Sequence, residues 1–245
     1  MEKWDNVKIQ EDKDAVIRYA AERIVRMATA TLELNDTFSM ALSGGSTPYP
    51  VYNLLGTKFR ANMDWSRIHI WWGDERCVPI DDTENNFYNT KQVLLDYIDI
   101  QESNIHRIHS EDEPDKAAAA YEQEVRDFFG TDGELFDLNI LGLGEDGHTA
   151  SLFPNTVALN ESEKWFMAHH VAAKGNLWRI TQTFPVILKS SNIMFLATGE
   201  GKADALKEVL QGAENPTLYP SQTVAHSNHP HIVWVVDKAA ASKLS

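Results

Sequence analysis

The chain has 245 residues, with 22 Lys and Arg against 36 Asp and Glu, for a formal charge of −14. Hydrophobic residues make up 43% and charged residues 24%, which is globular composition and excludes disordered, collagen-like and coiled-coil proteins. So acidic a chain lacks the basic face that duplex nucleic acid or an anionic membrane surface requires, although a few Lys or Arg suffice for one small anion.

No apolar run approaches the length of a membrane span, and the opening MEKWDNVKIQEDKD is too polar for a signal peptide. The single cysteine, Cys77, allows neither an intrachain disulfide framework nor a multi-cysteine zinc site. A cytoplasmic location is the expectation.

In chain order, residues 12–33 carry Val16, Ala20, Ile24, Met27 and Ala28 at helical spacing. FSMAL (38–42) reads as a buried strand ending in the turn SGGSTP (43–48). IHIWW (68–72) is the next strand, followed by the polar loop GDERCVPIDDTENN. Helices are expected over 86–97 and 115–129, the latter rich in strong helix formers. FDLNIL (136–141) runs into a glycine-rich turn, and RITQTF (179–184), NIMFLAT (192–198) and IVWVV (232–236) complete the strands. Helices over 201–211 and 237–243 follow the last two, with a long segment at 212–231 that reads as a flap or surface excursion. Strands alternating with helices predict an α/β fold: one domain over 1–245, with a mostly parallel, doubly wound sheet covered on both faces. Such sheets bind ligands at the carboxyl ends of their strands, so segments 43–48, 73–79 and 142–154 are expected to converge on one crevice.

Ser43-Gly44-Gly45-Ser46-Thr47-Pro48 lets the backbone approach a ligand and puts Pro48 at a first helical position, so its N–H groups can hold an anion; the plainer reading is an ordinary strand–helix turn. Gly142-Leu143-Gly144-Glu145-Asp146-Gly147 matches the dinucleotide fingerprint, but it lies mid-chain, places two carboxylates where a pyrophosphate belongs and meets Pro154 soon after. It reads better as a tight loop presenting Asp146 and His148, a general base with a carboxylate to fix its tautomer. Asp74-Glu75-Arg76 could position a sugar or anion, or could be a surface salt-bridge cluster.

Neither a G-x-S-x-G nucleophile elbow nor a P-loop is present. His226, His229 and His231 have a spacing that metal ligands can have, yet read as a solvated loop. His169, His170, His106 and His109 read as surface or packing residues, and no role is assigned to Cys77. The seven tryptophans are scattered and read as core.

Taken together, ALSGGSTP (41–48), WWGDERCVP (71–79) and LGLGEDGHTASLFP (141–154) resemble the 6-phosphogluconolactonase family. The resemblance continues in order through RITQTF, ATGEGKADAL (197–206) and VWVVDKAAA (233–241), nearly the whole chain. The wider superfamily holds the glucosamine-6-phosphate deaminase/isomerases, which tend to follow the loop His with F-N-E-P and to read D-E-Y where this chain has Asp74-Glu75-Arg76. Here the run is His148-Thr149-Ala150-Ser151-Leu152-Phe153-Pro154, which favours the lactonase. Glu84-Asn85-Asn86-Phe87 departs from the D-S-N-Y common in bacterial relatives.

The resemblance implies hydrolysis of 6-phospho-D-glucono-1,5-lactone to 6-phospho-D-gluconate, a step of the oxidative pentose phosphate pathway, with no metal or organic cofactor. It implies His148 as general base and Asp146, with Asp74, orienting the imidazole or a substrate hydroxyl. Arg76 would face the phosphate or the developing oxyanion. Ser43, Gly44, Gly45, Ser46 and Thr47 would hold the phosphate, joined by Lys174, Arg179 and Lys202 from later loops. The expected partner is a phosphorylated sugar lactone, with no nucleic acid or membrane and a monomeric or small homo-oligomeric state. A deaminase/isomerase and a non-catalytic sugar-phosphate sensor are the alternatives.

Overall fold

The computed structural model describes residues 6–172, 175 and 177–245. Strand β1 (Val7–Gln10) leads into α1 (Lys13–Leu34), whose N-terminus is capped by Asp12 accepting from the Ala15 N–H. There follow β2 (Phe38–Leu42), α2 (Pro48–Thr57), β3 (Ile68–Trp72), β4 (Asp74–Arg76), α3 (Asn86–Val93), β5 (Ile105–His106), α4 (Pro114–Phe129) and β6 (Leu138–Gly142). The remainder is β7 (Phe166–Val171), β8 (Leu177–Gln182), α5 (Phe184–Leu188), β9 (Ile193–Ala197), α6 (Ala203–Gln211), α7 (Ser221–Ala225) and β10 (Ile232–Asp237).

Seven strands form one sheet in the order β1-β10-β9-β6-β2-β3-β5, and every pair in it is parallel. Along β6, β9 and β10 alternate residues enter two separate cores. Ile140, Met194 and Val235 join the cluster that includes Val16, Ala20 and Ile24 of α1, whereas Leu141, Phe195 and Trp234 join Leu206 and Val209 of α6. Helices therefore cover both faces, as the near-continuous apolar strands require. Starting at β2, the chain proceeds outward through β3 and β5, then returns to lay β6 on the other side of β2. The order reverses between β2 and β6, so a ligand crevice belongs beyond their carboxyl ends.

Several expectations need correction. RITQTF does not join the parallel sheet. β8 lies between β4 and β7 in a separate three-stranded antiparallel sheet; it ends at Gln182, and Thr183 becomes the N-cap of α5, whose first turn holds Pro185, a residue that cannot donate to a ladder. β4 occupies what reads as a loop, since three polar residues carry no strand pattern. β1 and β7 also escape that pattern. The helix expected over 237–243 is a series of turns: the Asp237 carboxylate captures the Ala240 N–H, and seven residues offer little to offset helix nucleation. α3 stops at Val93 and gives way to a single 3₁₀ turn, Leu95–Tyr97. Segment 212–231 contains α7, and its Ser221 N–H donates to the Gly147 carbonyl, so it braces the loop after β6.

The two sheets are joined through buried amides. Asn139 on β6 donates to Gln182 on β8 at 2.8 Å, and Gln182 donates back at 3.1 Å. Gly73, between β3 and β4, donates its N–H to the Leu42 carbonyl and accepts from the Gln182 N–H. No helix among the described residues is long and apolar enough to cross a membrane.

Candidate active site

Beyond the switch point lies a cleft of about 220 Å³, bounded by residues 43–48, by Asp74, Arg76 and Asn86, and by residues 142–144 with His148 and Ala150. Lys202 closes one side. The three segments expected to converge do converge.

The first wall is the turn after β2. Thr47 stands at the N-cap position without a side-chain cap bond, Pro48 starts α2, and Tyr49 donates its N–H to the Gly45 carbonyl. Uncapped N–H groups at a helix start attract anions. Gly44 is obligatory by close approach, since a Cβ there would stand 1.9 Å from Asn86 Oδ1. Ser43 is fixed by Tyr52, whose hydroxyl donates to its carbonyl, and Thr47 Oγ1 lies 2.9 Å from Thr198 Oγ1.

The second wall is the turn after β6. His148 Nδ1 bonds Asp146 Oδ1, and the imidazole lies 4.2 Å centroid to centroid from the Phe153 ring. In the neutral imidazole Nδ1–H donates its hydrogen bond to the carboxylate, which leaves Nε2 bare. The hairpin is too tight for any other residue at Gly144, where a Cβ would fall 2.0 Å from His148 Nδ1. Ala150, on the cleft, holds a left-handed φ of 48°, uncommon away from glycine and costly outside functional sites.

The third wall is charged. Asp74 is buried and its Oδ2 accepts the Ser151 hydroxyl at 2.7 Å. Arg76 ion-pairs through Nη1 with Glu84, while its Nε finds no partner. Arg179 stands directly across the strand pair from Arg76, buried to 6% exposure. Its Nε is also unpartnered, and it makes no ion pair among the described residues. Burial, and then the Arg76 charge, lower the Arg179 pKa from its ordinary value. Two adjacent guanidiniums give this acidic chain a pair of cations beside the cleft, set among the Asp74, Glu75 and Glu84 carboxylates. The reading of Asp74-Glu75-Arg76 as a surface cluster does not hold, since both carboxylates are buried.

A model of the family described as glucosamine-6-phosphate isomerases/6-phosphogluconolactonase matches residues 11–234. The chain belongs to this family. A 6-phosphogluconolactonase of Nostoc sp. is 35% identical over 98% of both chains, and that of Haemophilus influenzae is 35% identical over 93% of this chain and 96% of its own. The crystal structure of a 6-phosphogluconolactonase from Thermotoga maritima superposes with a TM-score of 0.81 at 32% identity, covering 95% of this chain and 99% of that one.

On this family fold, Ser43 to Thr47, Asp74, Arg76, His148 and Lys202 line one cleft, with Asp146 behind His148 and Arg179 beside Arg76. Lys174 lies outside the described residues. Sequence reading overlooked Asn86, which bridges two walls by donating to the Asp74 carbonyl and accepting from the Tyr49 hydroxyl. It also overlooked Ser151, and named Glu75 only within the Asp74-Glu75-Arg76 cluster, with no role of its own. The departure at Glu84-Asn85-Asn86-Phe87 was the one available signal. Among the described residues no group of three or more His, Cys, Asp or Glu could hold a metal ion. His229 is turned to the Ser190 carbonyl, and His106 is bonded to Glu124 and stacked on Trp71 at 3.7 Å.

Proposed function

We propose that the chain is a 6-phosphogluconolactonase that hydrolyses 6-phospho-D-glucono-1,5-lactone to 6-phospho-D-gluconate, serving the oxidative pentose phosphate pathway. The observation that carries this reading is the Asp146–His148 pair across one small cleft from an uncapped helix start and the Arg76–Arg179 pair. The cleft brings a base and anion-binding groups together, as a phosphorylated ester needs.

A δ-lactone is a reactive ester, so no covalent nucleophile is required. His148 Nε2 takes a proton from water as the water oxygen bonds to C1. Asp146 holds the ring and stabilises the imidazolium that forms. The C1–ring oxygen bond then breaks, and the ring oxygen receives the proton held by His148. Arg76 faces either the oxyanion or the phosphate, and a fixed charge at the former stabilises the tetrahedral state. Asp74, with Oδ2 engaged by Ser151, orients a substrate hydroxyl. The phosphate rests on Ser43 to Thr47 and draws on Arg179, Lys174 and Lys202. Binding energy gained there places C1 against the water.

The test is the hydrolysis rate of freshly prepared lactone against its spontaneous decay, for wild type and His148→Ala side by side. Wild type should exceed the spontaneous rate, and the variant should lose a factor of about 10²–10⁴ while remaining folded. A fast variant removes His148 as the base; a wild type no faster than background removes the reaction.

A further inference from the structure

The cleft's charged wall and its anion-binding turn come from different strands, and something must hold them in register. Beneath both lies Glu75, 1% exposed. Its Oε1 accepts the Asn86 N–H at 2.7 Å and the Arg76 N–H at 2.8 Å, and its Oε2 accepts the Phe87 N–H at 2.9 Å. No lysine or arginine pairs with it among the described residues; the neighbouring Arg76 guanidinium turns to Glu84 instead. A buried carboxylate with three N–H donors and no counter-ion is expensive to keep and invites an explanation beyond packing.

Its contacts supply one. Two of the three donors are the first N–H groups of α3, which no intrahelical carbonyl can satisfy, so Glu75 ties that helix start to β4. The residue placed by this tie is Asn86. Its amide donates to the Asp74 carbonyl at 2.9 Å, its Oδ1 accepts the Tyr49 hydroxyl at 3.1 Å, and it sits against Gly44 so closely that no side chain fits there. The third donor is the backbone of Arg76 itself. One carboxylate thus fixes Arg76, the Asp74 main chain and the 43–48 turn relative to each other, and touches none of the second wall carrying His148.

We infer that Glu75 is a positioning residue for the anion-binding half of the site, acting through Asn86 and the Arg76 backbone. This rests on the lactonase reading for the identity of the anion, but its consequence is a division of labour: loss of Glu75 weakens the hold on sugar phosphate more than it slows the chemistry. In Glu75→Gln the amide oxygen can replace only one carboxylate oxygen. The amide nitrogen then confronts an N–H donor, which frees the start of α3.

The experiment measures 6-phosphogluconate binding by calorimetry below the melting range, alongside KM and kcat for the lactone. For Glu75→Gln the dissociation constant and KM should rise about tenfold, as for a buried donor left unpaired, with kcat changed far less. A folded Glu75→Gln protein with unaltered affinity and KM, or one losing only kcat, overturns the inference. Tyr49→Phe is the second variant: it removes one hydroxyl that docks Asn86 and leaves the buried charge alone. Its affinity should fall a few-fold. If Glu75→Gln does not fold, Tyr49→Phe decides, and unchanged binding there refutes the role. Turnover by wild type with no effect of either variant defeats this inference alone. Wild type that binds sugar phosphate without hydrolysing lactone defeats only the reading of the reaction. Wild type that binds no sugar phosphate defeats both.

Discussion

The seven-stranded and three-stranded sheets contribute differently to the cleft. The parallel sheet is mainly apolar: β2, β9 and β10 are buried along their whole length, and what the sheet offers the site is the turn after β2 and the turn after β6. Those turns present backbone N–H groups, glycines and one histidine. The antiparallel sheet supplies charge, with Asp74, Glu75 and Arg76 on β4 and Arg179 on β8. The first is stabilised by burial and its turns are shaped by sterics. The second carries two buried charges, Glu75 and Arg179, that make no ion pair among the described residues and weigh against stability. Substitutions in the two regions should therefore fail in different ways.

The largest effect is expected at the turn after β6. Gly144→Ala would drive a Cβ to 2.0 Å from His148 Nδ1 and 2.5 Å from Asp146 Oδ1, so the imidazole must move. A displacement of that order costs roughly 10² in kcat. Steady-state kinetics and a circular dichroism melt would show activity lost from a folded protein, whereas full activity would show that the pair tolerates displacement.

Arg179→Met makes the opposite trade. It removes a buried cation that makes no ion pair among the described residues, so the melting temperature should hold or rise, while KM for the lactone increases roughly tenfold to a hundredfold. A fall in stability with unchanged KM would show that Arg179 is structural and erase the contrast between the sheets.

The smallest effect concerns pH. Burial pushes Glu75 up to about 7 from 4.5, against the pull of its N–H bonds to Asn86, Arg76 and Phe87. The groups facing it are Asp74, Arg76 and Cys77 nearby in sequence, Tyr49 of α2, Tyr121 of α4 and Arg179 of β8. Folding takes up a proton here between the two values. The stability this proton brings is complete below about 4.5 and is lost as pH rises through about 7. Melts of wild type and Glu75→Gln at pH 5 and pH 8 should show wild type losing a few degrees relative to the variant at the higher pH. A constant difference would mean that the carboxyl keeps one protonation state throughout.

How much was legible follows the same division. β2, β3, β9 and β10 are apolar runs, so burial on both faces announces them. α1 carries helical periodicity, α4 is rich in strong helix formers, and glycines mark both turns. β4, three charged residues long, has no local signature; β8 is legible as a strand, but its antiparallel partners at 74–76 and 166–171 are not, because pairing is decided by the partner strands. Asp74, Arg76, His148 and Arg179 could be singled out by type and by resemblance. The roles of Asn86 and Glu75 could not, since they lie in contacts between β4, the start of α3 and Tyr49 of α2 that no periodicity encodes.

By itself the sequence determined an alternating parallel α/β architecture, a crevice at the strand ends and a His–carboxylate turn, because each is set by local hydrophobicity or by the sterics of a few adjacent residues. Only the tertiary structure decided which charges are buried and which are paired. Desolvation and ion pairing depend on distances between segments remote in the chain, such as Ser151 to Asp74 and Arg179 to Arg76.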